Sequence, residues 1–313
     1  MKYFSTHIAV LFVALTALLA ITSFEARGQS KGAPNAESRV KPTVLIMDGR
    51  DDSAAKRESA AAAFSPAAAR NAVLRDDLTW TFGARQQRGW YLYTPLISHM
   101  LNTEDGAASN SFASTLARWQ ETAGLKPSGI LDEESLNAMV SEWQRRRLKN
   151  RIDAQPDQLV TAPASDFYDP ERLEELRQVE RETYAAYKRM VAAAIADPSL
   201  GLARASPGGL APAEKYLKII SAFRSHEYQA QLRRQSPQAG SAGLAINSPH
   251  FTGRALDLYV GGEPVDTKDS NRALQVQTRV YQWLVRNAER FGFRPYYYEP
   301  WHWEYVAAES RAQ

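Results

Sequence analysis

The chain has 313 residues, a formal net charge of +3 and no cysteine. The length suits two domains of about 100–200 residues each, and the charge is too small for the electrostatics of a general nucleic-acid binder. The missing thiols exclude disulfides, a lipid-modified cysteine, a thiolate nucleophile and a thiolate metal site, so any metal must be held by histidine and carboxylate.

Residues 1–26 have the order of a secretory signal peptide: Lys2, an apolar run from Ile8 to Ile21, then small and polar residues to Ala26. The run is short for a bilayer, which needs about 20 apolar residues. Phe24 stands where cleavage after Ala26 expects a small side chain, so a retained anchor is the alternative. Export to the periplasm or cell envelope is expected. Residues 27–75, rich in Ala, Ser, Lys, Arg and Asp, are expected to be a mostly disordered tether.

Residues 76–148 form the next unit. GWYLYTPLISHML (89–101) predicts an apolar helix or turn. Phe112, Leu116 and Trp119 then recur on one helical face. After the turn GLKPSGILD, Leu136, Met139, Val140 and Trp143 line a further helix, with Asp132 as its N-cap. FASTLARWQETAGLKPSGILDEESLNAM, with YTPLISHML before it, resembles the small three-helix peptidoglycan-binding module of cell-wall hydrolases. Wall binding by residues 76–148 is what the resemblance implies; the pattern itself supports helices and a small core. NRIDAQPDQLVTAPA marks a linker over 149–164.

In residues 165–313, Asp169-Pro170 predicts a helix start, with the stripe Leu173, Leu176, Val179, Tyr184, Tyr187 and Met190 running to about Ala196. KYLKIIS (215–221) predicts a strand, 225–235 a helix, 276–290 an amphipathic helix ending at Gly292, and YYYEPWHWEYV strand, turn, strand. Without a βαβ rhythm, the fold class is α+β, a small antiparallel sheet flanked by helices.

The stretch SPHFTGRALDLYV (248–260) raises a geometric question. Seven extended residues span roughly 23 Å and two helical turns roughly 10 Å, whereas zinc–ligand bonds are about 2.0–2.2 Å. His250 and Asp257 can share an ion only if the chain reverses near Gly253, a residue free to take positive φ. Glu299 and His302 would face opposite ways on a straight strand; a turn at 299–302, begun by Pro300, would make them neighbours.

Ser248, His250, Gly253, Ala255 and Asp257 spell S-x-H-x-x-G-x-A-x-D, and Glu299, Trp301 and His302 spell E-x-W-H. With SAFRSHEYQAQL (221–232), these motifs resemble the zinc D-alanyl-D-alanine carboxypeptidases and dipeptidases of the LAS group, most closely the VanY-type branch. Phe223 stands where tyrosine is commoner in that family. The resemblance implies one Zn2+ held by His250, Asp257 and His302, with a fourth position for water. It implies Glu299 as general base and acid, and Arg224 on the developing oxyanion. Ser248 and Gln229 would contact the substrate and Trp301 would wall the pocket. Peptidoglycan stem peptides would be the substrate and the wall the anchor, with no nucleic acid and no obligate protein partner.

Three other functions fit the same residues: an endopeptidase using the same zinc site, a two-histidine iron oxygenase, and a non-catalytic wall- or metal-binding protein. The oxygenase lacks its H-x-D spacing and leaves Glu299 without a role. The non-catalytic reading expects loss of Glu299, which is present. Of the remaining histidines, His99 is read as structural, His226 as covering a helix face, and His7 as part of the signal segment. Tyr296–Tyr298 are read as core and pocket wall.

Overall fold

The computed structural model describes residues 63–82, 85–205, 208–235 and 247–307. The expected signal peptide and the tether up to residue 62 lie outside them. The described end of that expected tether is instead helix α1 (Ser65–Asp77). Its Ala67 and Ala68 pack on Ala113. Asn71, fully buried, donates to the Gly129 carbonyl at 2.8 Å and accepts from the Leu131 amide at 2.7 Å. Tertiary contact thus orders residues whose composition alone favours disorder.

The hairpin β1 (Thr79–Phe82) and β2 (Arg85–Arg88) comes next, then helices α2 (Thr94–Leu101), α3 (Asn110–Thr122) and α4 (Glu133–Arg145). Two caps set their starts. Ser109 accepts from the Phe112 amide at 3.0 Å, and Asp132 accepts from the Ser135 amide at 2.9 Å, as its position predicted.

Residues 149–164, expected as a linker, are woven into the C-terminal half of the chain. The Ala154 amide donates to the Phe251 carbonyl at 2.9 Å, and β3 (Leu159–Thr161) pairs antiparallel with β4 (Gln178–Glu180). The helix expected from Asp169 begins only at Arg181, as α5 (Arg181–Ala196). Asp169 instead closes a local turn by accepting from the Glu171 amide at 3.0 Å, and Glu180 caps α5 through the Glu182 and Thr183 amides. Val179, read as helical, is buried in a strand.

The main sheet has four strands in the order β5-β6-β8-β7, all antiparallel: β5 (Ile219–Ser221), β6 (Ala255–Leu258), β7 (Phe293–Tyr296) and β8 (Glu299–Tyr305). Only the end of KYLKIIS joins it, because Leu217 has φ +65° and breaks the extended chain. Helix α6 (His226–Gln235) lies between β5 and β6 in the chain. The expected helix at 276–290 is α8 (Arg279–Asn287), and a helix not expected, α7 (Asp269–Gln277), precedes it. At the break, Thr278 is extended and its Oγ1 accepts from the Tyr281 amide at 3.1 Å, a cap that competes with helix continuation. The expected strand-turn-strand at the C-terminal end is β7 and β8, and the architecture is α+β.

One hydrophobic cluster runs from Leu74 in α1 to Trp303 in β8. Tyr297, in the β7–β8 turn, is its meeting point, with ring centroids 5.0 Å from Phe82, 5.5 Å from Tyr93 and 5.9 Å from Trp143. Buried Arg272 of α7 donates to the Tyr93 hydroxyl at 3.0 Å and lies 4.2 Å over the Tyr298 ring. The first helices and the sheet therefore share their apolar interior. Among the described residues no helix is long and apolar enough to cross a membrane.

Candidate active site

Three strands of the sheet set out the site in a row. Ser221 of β5 is the ladder partner of Asp257 in β6, and Asp257 is the partner of His302 in β8. Directly opposed residues share a sheet face with Cβ atoms about 4.5–5.5 Å apart, so the register alone sets an imidazole beside a carboxylate. His302 Nδ1 lies 2.9 Å from Asp257 Oδ1.

His250 comes from outside the sheet. Residues Pro249–Thr252 form one 3-10 turn, and Gly253 follows at φ +65°, the left-handed conformation that sends the chain back along β6. The reversal expected near Gly253 is present, and it brings His250 Nε2 to 3.3 Å from Asp257 Oδ1. Space is short at the bend: a Cβ on Gly253 would lie 3.0 Å from the Glu180 amide nitrogen.

His250, Asp257 and His302, all buried, offer ligand atoms within 4.8 Å of one another. The outward side of each ring has a fixed acceptor. His250 Nδ1 is 2.7 Å from the Ala222 carbonyl and His302 Nε2 is 3.3 Å from Glu304 Oε1. An N–H donated outward leaves His250 Nε2 and His302 Nδ1 as lone pairs turned toward the carboxylate. Two imidazole nitrogens and one carboxylate oxygen within 4.8 Å of one another suit zinc.

Burial drives the His302 pKa down, but hydrogen bonds to Asp257 and Glu304 outweigh it and raise the value to about 9. Burial and the Arg224 charge together push His250 down to about 4. Burial would raise Asp257, yet the two imidazoles and Arg224 hold it well below the usual carboxylate range.

Arg224 is engaged on the far side of that carboxylate. Its Nη2 donates to Asp257 Oδ2 at 2.6 Å, its Nε to Ser221 Oγ at 2.8 Å and its Nη1 to Gln229 Oε1 at 3.4 Å. Sequence reasoning assigned Arg224 to an oxyanion; the structure also makes it the group that divides the two oxygens of Asp257. Ser248 Oγ accepts from the His250 amide at 3.3 Å and so caps the turn carrying the histidine. Trp301 is buried among the core residues. His226 stands apart from this group, exposed, with Nε2 2.7 Å from Asp153 Oδ2.

Glu299 and His302 do not lie in the expected turn. Both belong to β8, and the β7–β8 register is what is irregular: Tyr296 pairs with Glu299 while Pro295 pairs with Trp303. The three residues between have no partner in β7, and this bulge replaces the turn as the way both side chains serve one site. Glu299 is buried, and its Oε1 has no hydrogen-bond partner among the described residues. Burial raises its pKa to about 7, opposed by the His302 charge and reinforced by Asp257.

The family described as "VanY: D-alanyl-D-alanine carboxypeptidase" matches residues 176–308, a span containing every residue of this group. Residues 176–308 are similar to the VanY family. No curated protein matches the chain. Among solved structures, the LdcB LD-carboxypeptidase, described for its recognition of peptidoglycan, is 22% identical with a TM-score of 0.35, over 50% of this chain and 72% of its own. VanYB in complex with D-alanine-D-alanine is 21% identical with a TM-score of 0.31, over 53% and 84%. A vancomycin-resistance D,D-pentapeptidase VanY in complex with Zn(II) is 21% identical with a TM-score of 0.31, over 54% and 92%.

Two residues near the His250–Asp257–His302 group escaped sequence reasoning. Glu304, fully buried, bonds His302 from outside, and Arg147, just beyond α4, bonds Glu304. A signal for Glu304 existed: H-x-E on a strand puts both side chains on one face. None pointed to Arg147, which lies 157 positions away in the chain.

Proposed function

We propose that the chain is an exported zinc peptidase that removes the terminal D-alanine from peptidoglycan stem peptides. The observation that carries this reading is the convergence of His250 Nε2, Asp257 Oδ1 and His302 Nδ1 beside a buried carboxylate with an uncommitted oxygen. Zinc bound by these three residues supplies Lewis acidity to the scissile carbonyl and to water.

The chain's own residues do the rest. Glu299 Oε1 accepts a proton from the attacking water and returns it to the leaving amine, and a pKa of about 7 suits both transfers at neutral pH. Arg224 presents Asp257 Oδ1 by holding Oδ2, and its remaining N–H donors are assigned to the oxygen that gains charge. Gln229 orients Arg224, Ser248 takes the substrate's terminal carboxylate, and Trp301 walls the pocket. Residues 76–148 hold the enzyme to the wall, and the N-terminal segment directs it to the periplasm or envelope.

Muropeptide mass spectrometry with the zinc-loaded protein tests the reading. Pentapeptide stems should lose one alanine, and a chelator should stop the loss. Shortening of tetrapeptide stems alone would replace the D,D assignment with an L,D one. Splitting of cross-linked dimers would make the protein an endopeptidase. Unchanged stems and cross-links would overturn the peptidase reading.

A further inference from the structure

Glu304 is a carboxylate with no exposure to solvent, and a buried charge of this kind needs full compensation. Its compensation comes from the segment that leaves α4. Arg147 Nη2 donates to Glu304 Oε1 at 2.5 Å, and the Leu148 amide donates to Oε2 at 2.9 Å. The same Oε1 faces His302 Nε2.

Arg147 is itself held in place. Its Nη1 donates to Gln144 Oε1 at 2.7 Å within the end of the helical module, and its guanidinium lies 4.0 Å over the Tyr296 ring. That ring stands edge-on to His302, with centroids 6.0 Å apart. The chain Gln144–Arg147–Glu304–His302 therefore runs from the last helix of the N-terminal module to a metal ligand. A carboxylate on the outer nitrogen of a ligating histidine fixes its tautomer and orientation, and loss of such a partner typically lowers metal affinity about 10–100-fold.

We infer that Arg147 and Leu148 are positioning residues of the metal site, acting through Glu304 on His302, so that the N-terminal module is part of what makes the site bind. This rests on the reading of His250, Asp257 and His302 as zinc ligands. Arg147 cannot touch the substrate on these contacts; it acts by holding the group that holds the ligand.

The test measures zinc affinity of the full chain by competition with a chromophoric chelator, with the visible spectrum of the cobalt-loaded protein as a second readout. Arg147→Met and Glu304→Gln should each lower zinc affinity roughly tenfold or more and shift the cobalt bands. Arg147→Lys should recover much of the loss by restoring a cation. Arg146→Met, which removes a neighbouring charge paired with Glu142, should leave both readouts unchanged. His302→Ala separates this inference from the ligand assignment, because undiminished zinc binding in that variant would refute the ligand reading itself. If His302→Ala loses zinc while Arg147→Met and Glu304→Gln bind like wild type, the module has no part in the site and the inference falls. Should Arg147→Met fail to fold, Arg147→Gln and Glu304→Gln decide alone: wild-type affinity and spectra in both overturn it, and losses support it.

Discussion

Replacing Gly253 with alanine perturbs both the fold and the site through one methyl group. At φ +65° an L-residue costs roughly 1–2 kcal/mol. The added Cβ also meets the Glu180 amide nitrogen, Glu180 Cβ and Leu159 Cδ2, each at 3.0 Å, and two of these belong to or adjoin backbone that cannot swing aside. Overpacking of this kind costs roughly 1–3 kcal/mol more, giving about 2–5 kcal/mol in total. For a chain of this size that lowers the melting temperature of the zinc-free protein by roughly 5–15 °C. The same strain falls on the turn that aims His250 Nε2 at Asp257, so zinc affinity should drop as well. Gly253→Asn separates the two costs, since asparagine tolerates the left-handed region but still carries the clashing Cβ; it should recover only part of the loss. Thermal unfolding and chelator competition on the three proteins are the assays. An unchanged melting temperature and unchanged zinc affinity in Gly253→Ala would refute the account of the reversal.

Glu299→Gln keeps the shape of the site and removes the base, so peptide cleavage should fall about 10²–10⁴-fold while zinc affinity stays near wild type; equal activity would end the proposed role. Zinc affinity should rise about tenfold per pH unit from near neutrality and level off around pH 9, because the His302 proton must leave for the metal to enter. The sign is opposite for the metal-free fold: the raised His302 pKa stabilises it fully below about 6.5, and that stability is lost as pH rises through about 9. Titration of zinc binding and of metal-free melting temperature between pH 6 and 10 checks both slopes. Tyr297→Phe should raise the melting temperature by a few degrees, since it removes a buried hydroxyl that has no partner among the described residues; a clear loss of stability would show that the hydroxyl is satisfied.

Much of the site was legible in the sequence because its chemistry depends on residue identity within short motifs. His250, Asp257 and His302, which the structure brings together, could be picked out from short motifs, and the reversal at Gly253 was expected on the premise that the first two share an ion. Helices α3 and α4 were legible from apolar spacing and a cap within a few residues, and α6 was expected to within one residue of its bounds. What escaped depends on partners distant in the chain. The late start of α5 follows from Glu180 serving as a cap while Val179 pairs with Val160. The break between α7 and α8 comes from Thr278 Oγ1, which accepts from the Tyr281 amide and donates to the Val260 carbonyl. The ordering of 149–164 needs Phe251 and β4 as partners, and the Arg147–Glu304 pair joins the two ends of the fold. The β8 bulge arises because β8 answers to two neighbours: His302 is held opposite Asp257 by β6, while Tyr296 of β7 takes Glu299.

That bulge has a consequence for how this chain responds to selection. In a regular strand, residues three apart point to opposite faces, so a perfect β8 could offer the site either His302 or Glu299. The irregular register is a parity change that lets a single strand supply both, at the expense of unpaired ladder positions. Under the proposed function, selection for thermal stability alone should therefore favour changes at 300–301 that regularise the strand while sparing His302, and the survivors should be sturdier proteins with weakened cleavage.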